Sequence, residues 1–194
     1  METKRLKREI IEWGLLILVP LTLYLTGLHT PVLGYLQRLV LATGLLRPDI
    51  EQPAEAQRPA DYRFSLVDLE GRRHSLEEFR GRVVFLNFWA SWCPPCLAEM
   101  PNIHRLYRKT GSDVAFVMVS LDRDPTVASK WIEGKGYTFP VYFPAGPLPA
   151  AYDSPTIPTT FIISPDGKIV SQRRGMADYD TEAFRSFLRG LQQR

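Results

Sequence analysis

Val83-Val84-Phe85-Leu86-Asn87-Phe88-Trp89-Ala90-Ser91-Trp92-Cys93-Pro94-Pro95-Cys96 is the stretch that decides the fold of this chain. Val83–Trp89 is apolar apart from Asn87, is rich in β-formers, and reads as a buried strand. After Cys96, the residues Leu97, Met100, Ile103, Leu106 and Tyr107 recur at helical spacing as far as Gly111. Pro101 is expected to kink this helix rather than abolish it. Cys93 and Cys96 are the only cysteines in 194 residues, and a dithiol at a strand–helix junction reads as a redox site.

The chemistry follows from local physics. A thiol at a helix N-terminus faces unpaired N–H groups and the positive end of the helix dipole, which favour the thiolate. Pro94 and Pro95 suit a first helical turn and remove two donors, so they should tune the redox potential. Cys96 lies deeper in the helix, so Cys93 is expected to attack and Cys96 to resolve. A zinc site needs about four ligands, whereas His29, His74 and His104 are scattered and no second pair of cysteines exists. Haem attachment would require His after the second cysteine, and position 97 is Leu. As a purely structural staple, so short a loop would gain little chain entropy.

A formal net charge of +3 gives no nucleic-acid signal. The length fits one domain plus an extension. Lys4, Arg5, Lys7 and Arg8 precede Ile10–Leu28, a stretch apolar except for Glu12 and a few Thr, Gly and Tyr and long enough, at about 1.5 Å per residue, nearly to span about 30 Å of hydrocarbon. The basic residues place the N-terminus in the cytoplasm and the remainder of the chain outside. The stretch is long for a cleaved signal peptide and lacks a small-x-small site, so an uncleaved anchor is favoured. Residues 1–30 are therefore read as basic stub and transmembrane anchor. Val32–Leu46, with Gln37 and Arg38 at its centre, is read as an interfacial helix and 47–60 as a solvated linker, together forming segment 31–60.

The globular domain is read as residues 61–194. Tyr62–Val67 alternates as a strand before a turn at Gly71, and Ser75 and Glu78 stand in capping-box spacing for a short helix ended by Gly81. Val114–Leu121 is expected as a strand, Thr126–Glu133 as a helix ending at Gly134, and Tyr137–Tyr142 as a short strand. Thr159–Ile163 and Lys168–Arg173 flank Pro165-Asp166-Gly167 as a hairpin. Asp180–Gln193 closes the chain as an amphipathic helix bearing Phe184, Phe187, Leu188 and Leu191. The pattern is an α/β sandwich around a mixed central sheet flanked by helices.

Phe88–Cys96 followed by Glu99-Met100-Pro101 resembles the membrane-anchored thioredoxin-like disulfide reductases of the TlpA/ResA type. Leu66–Gly71, Ser75-Leu76, Gly81–Val84 and Thr156–Phe161 match as well, so the resemblance covers roughly 61–194. It implies a thioredoxin-like fold with an N-terminal β extension, and it extends the site. Pro158 matches a cis-proline beside the disulfide, and Ile157 before it would offer backbone hydrogen bonds to a substrate chain. Trp92 and Pro95 join them as substrate-binding residues. Glu99 matches an acidic residue that can accept the Cys96 proton. Thioredoxin itself has a buried aspartate where this chain has Asn87, which cannot act as a base, and this strengthens the case for Glu99.

The resulting expectation is an extracytoplasmic thiol–disulfide oxidoreductase, single-pass in a bacterial inner membrane, with its catalytic domain in the periplasm. It would reduce disulfide-bonded proteins, with cytochrome c maturation as the first suggested setting. Electrons would come from a membrane thiol donor drawing on cytoplasmic thioredoxin. No metal and no cofactor beyond the redox-active Cys93–Cys96 disulfide are expected, and the chain is expected to be monomeric. The rival readings are a disulfide-donating oxidase, a non-catalytic membrane-tethered binding module, and, more weakly, a peroxidase.

Overall fold

The structure, a computed structural model, describes residues 2–26, 36–37, 39–41, 43, 46, 52–154 and 156–193. The chain begins with helix α1 (Glu2–Leu25). Eight strands follow: β1 (Arg58–Pro59), β2 (Ser65–Asp68), β3 (Arg73–Ser75), β4 (Val83–Trp89), β5 (Val114–Ser120), β6 (Val141–Pro144), β7 (Thr159–Ile163) and β8 (Lys168–Arg174). Helices α2 (Pro94–Thr110), α3 (Pro125–Lys135) and α4 (Glu182–Leu191) lie between or after them. The strands form one mixed sheet in the order β1-β8-β7-β4-β5-β6-β2-β3. Among the described residues, only β4–β5 and β5–β6 pair in parallel.

All seven residues of β4 are buried, as are all seven of β5, so both faces of the sheet centre are covered. Side chains alternate across a strand, and the core divides accordingly. Val83, Phe85 and Trp89 join Met100, Ile103 and Leu106 of α2, Ala128 and Ile132 of α3, and Phe184, Leu188 and Leu191 of α4. Val84, Leu86 and Phe88 join Phe64, Leu66, Leu76 and Tyr152 on the opposite side. Asn87 shares the parity of Phe85 and Trp89, which turns it towards α2. That single parity fact builds half of the site described below.

Several elements differ in extent from the sequence reading. α2 is not among them: it runs through Pro101 to Thr110, as expected. α3 begins one residue earlier than expected, with the Asp124 side chain accepting from Thr126 N, and continues to Lys135, where Gly136 closes it at φ +66°. The strand expected over Tyr137–Tyr142 is displaced to Val141–Pro144, because Tyr137 packs instead against Trp131, His104 and Phe139. Thr181 accepts from Phe184 N and so begins α4 at Glu182. The Ser75–Glu78 capping box is present, on a 3₁₀ turn over Leu76–Phe79.

The linker read over 47–60 contributes to the sheet. Arg58 and Pro59 pair with Ile169 and Lys168 of β8, Gln52 N donates to Val170 O, and Ala60 N donates to Gly167 O. The ordered domain thus starts before position 61. An unpaired sheet edge offers backbone groups to any adjacent segment, and proline is tolerated on an edge strand. Of the interfacial helix read over 32–46, most lies outside the described residues. Leu41 is buried, and Leu46 O accepts from Asp178 N. Residues 27–30, including the end of the expected transmembrane stretch, also lie outside them. Among the described residues, no helix is long and apolar enough to cross a membrane.

Candidate active site

The site forms where β4 ends and α2 begins. Cys93 is the N-cap of α2, and Pro94 and Pro95 fill its first turn, where missing N–H groups cost nothing. Cys93 and Cys96 are joined by a disulfide with S–S 2.09 Å and Cα–Cα 5.3 Å. The Cys96 N–H donates to Cys93 Sγ at 3.3 Å, so the helix N-terminus presents a donor to the sulfur expected to become a thiolate. Cys93 is nearly buried and Cys96 fully so, whereas Trp92 is 63 % exposed and Pro95 half-buried.

The Ile157–Pro158 peptide is cis and leads directly into β7. Ile157 O lies 3.8 Å from Cys93 Sγ, and Pro158 O accepts from Gly175 N. Cys93, Cys96, Ile157 and Pro158 are therefore assembled together from parts of the chain more than 60 residues apart. Trp92 lines an open groove with Ser91, Leu121, Asp122, Arg123, Asp124 and Val127.

Glu99 is fully buried, one helical turn beyond Cys96. Its Oε1 accepts from Asn87 Nδ2 at 3.0 Å and its Oε2 from Ala177 N at 3.1 Å. Asn87 Nδ2 also donates to Thr160 Oγ1 at 2.9 Å, across the β4–β7 register that places Asn87 opposite Thr160. Burial pushes the Glu99 carboxyl up to about 8, against the opposing pull of the Ala177 N–H, the Asn87 amide and the Arg173 charge. A carboxyl so placed can hold or release a proton near neutral pH.

Three participants escape a reading of the sequence. Asp122 accepts from Ser91 N, Ser91 Oγ and Ser120 Oγ, so it ties the loop before the dithiol to the end of β5. Ala177 and Thr160 complete the Glu99 environment through a backbone N–H and a strand hydroxyl. Asp122 and Ala177 belong to no recognisable motif, and Thr160, though inside the matched Thr156–Phe161 stretch, is brought to Glu99 only by the sheet register.

The Redoxin family pattern matches residues 49–184. The chain is 41 % identical over 111 residues to "Thiol-disulfide oxidoreductase ResA" of Geobacillus thermodenitrificans (strain NG80-2), covering 55 % of this chain and 62 % of that one. Identity to the Bacillus subtilis (strain 168) protein of that name is 37 % over 109 residues, covering 55 % and 61 %. The chain thus spans somewhat less than two thirds of these relatives' length. Among solved structures, a "putative Thiol:disulfide interchange protein DsbE" from Chlorobium tepidum matches with TM-score 0.60 and 31 % identity, over 70 % of this chain and 98 % of that one. StoA from Bacillus subtilis matches with TM-score 0.54 and 30 % identity, over 66 % and 97 %. With the matched pattern covering well over half of its residues and the dithiol at the start of α2, this thioredoxin-like chain belongs to the Redoxin family.

Proposed function

We propose that this protein is an extracytoplasmic, membrane-anchored thiol–disulfide oxidoreductase that reduces disulfides in other proteins. The observation that carries the reading is the Cys93–Cys96 disulfide at the strand–helix junction, with Cys93 Sγ receiving the Cys96 N–H. In the reduced protein the Cys93 thiolate attacks one sulfur of a substrate disulfide. A Cys93–substrate bond forms, and the other substrate sulfur leaves as a thiolate and is protonated. Glu99 takes the Cys96 proton, and the Cys96 thiolate attacks Cys93 Sγ. That closes the Cys93–Cys96 disulfide and releases the second substrate thiol. The substrate gains two electrons and the enzyme loses two, to be restored by a membrane thiol donor. Trp92, Pro95, Ile157 and Pro158 would hold the substrate chain across the centre. Proteins awaiting haem attachment through reduced cysteines are one substrate class that fits.

The direction of electron flow is testable by equilibration with glutathione or thioredoxin. A midpoint near that of thioredoxin, about −270 mV, is expected; a value near about −120 mV would identify a disulfide donor instead.

Support for anchoring comes from α1, where consecutive Leu16, Ile17, Leu18 and Val19 are all exposed, as are Trp13, Leu21, Tyr24 and Leu25. Four consecutive exposed apolar residues cover a full helical turn, so at Leu16–Val19 the helix turns no polar side to water. A reporter fused after Leu46 is expected to be active only if it functions outside the cytoplasm. Activity of a cytoplasm-only reporter at that junction would overturn the topology.

A further inference from the structure

Asn87 is fully buried, and both hydrogens of its Nδ2 are used, one on Glu99 Oε1 and one on Thr160 Oγ1. Its Oδ1, equally buried, has no hydrogen-bond partner among the described residues. Buried acceptors are seldom left without donors. The arrangement suits a charged Glu99, whose two oxygens then receive two donors, Asn87 Nδ2–H and Ala177 N–H. It does not suit a neutral one. A protonated carboxyl brings an O–H that needs an acceptor, and its two partners both point donors at it. Two groups would then be unsatisfied, the carboxyl O–H and Asn87 Oδ1.

A half-turn of the amide about Cβ–Cγ gives the carboxyl O–H an acceptor and Oδ1 two donors, because amide O and N exchange places with little change of shape. Oδ1 then accepts from the Glu99 O–H and from the Thr160 hydroxyl, which can donate as well as accept, and the two Nδ2 hydrogens take the place that Oδ1 held. We propose that Asn87 is a positioning residue whose side-chain amide follows the proton on Glu99, presenting Nδ2–H to the carboxylate and Oδ1 to the carboxylic acid. The other groups facing Glu99 are Cys96 one turn earlier on α2 and the Arg173 charge on β8. The inference rests on the reading of Glu99 as the group that takes the Cys96 proton. It adds that the residue standing where thioredoxin carries a base stabilises either state of a base on the neighbouring helix.

The test is NMR on the oxidised full-length protein in detergent, with 15N in asparagine side chains and 13C at glutamate carboxyls. The Asn87 Nδ2 resonances are expected to move with the same midpoint as the Glu99 carboxyl, and to become independent of pH in Glu99→Gln. Wild-type Asn87 resonances that stay flat while Glu99 titrates overturn the inference, as does an Asn87 response to pH that survives in Glu99→Gln. Failure of the underlying reading looks different: Glu99→Gln would then leave the Cys96 thiol titration of the reduced protein unchanged.

Discussion

Cys93→Ser is expected to reduce insulin disulfides no faster than buffer, while Cys96→Ser accumulates as a covalent adduct with its protein partner. The two outcomes differ because the sulfurs occupy different places on one helix. Cys93 is the N-cap, with a backbone donor aimed at its Sγ and an exposed tryptophan beside it. Cys96 is fully buried in the first turn, with its sulfur joined to Cys93. Removing the attacking sulfur prevents the first bond from forming. Removing the resolving one stops the reaction after that bond, because no second thiol in the chain can displace the substrate. Gel mobility with and without reductant reads the adduct, and mass spectrometry of the trapped partner identifies the substrate. Insulin reduction persisting in Cys93→Ser would end the mechanism, and biological function surviving replacement of both cysteines by Ala would favour a binding module.

The core of the fold was legible because its signals are local. A seven-residue, β-prone run that is apolar but for Asn87 reads as a central strand, and β4 is buried along its whole length. The turn at Pro165-Asp166-Gly167 announces the β7–β8 hairpin, with Gly167 at φ +84°. β1 was not legible: two residues, one of them proline, carry no periodicity, and they form a strand only because the edge of β8 is open beside them. The site divides in the same way. The position of Glu99 is in the sequence, but its burial is not, since the N–H that holds Oε2 comes from Ala177, 78 residues later. Asn87 stood out as a departure from thioredoxin. What it does instead became visible only when strand parity and the β4–β7 register put it between Glu99 and Thr160.

Glu99→Gln is expected to give a protein that is more stable at alkaline pH and slower at resolving mixed disulfides. The carboxyl titrates at about 8 in the folded protein against an ordinary value of 4.5. Below about pH 4.5 both folded and unfolded chains carry the proton, and the group costs nothing. Between there and about 8 the unfolded chain has released its proton while the folded one keeps it, so the folded state binds more protons and stability falls as pH rises. The slope approaches about 1.4 kcal/mol per pH unit, a loss of a few kcal/mol across the window, and flattens once the folded carboxyl is also charged. Glutamine fills the same space, still accepts through its carbonyl, and carries no charge to desolvate. Thermal unfolding of the two oxidised proteins, in which no thiol titrates, should therefore coincide near pH 4 and separate steadily towards pH 8. Parallel curves over that range would mean that the folded carboxyl ionises like a solvated one. The same substitution removes the acceptor for the Cys96 proton, so the adduct formed through Cys93 should persist longer, most visibly near pH 8, where a growing fraction of wild-type Glu99 is charged. Stability gained and resolution lost at one position is the pattern that separates a proton-handling group from a structural one: a carboxylate kept only for its hydrogen bonds to Asn87 and Ala177 would lose stability when neutralised and leave the chemistry alone.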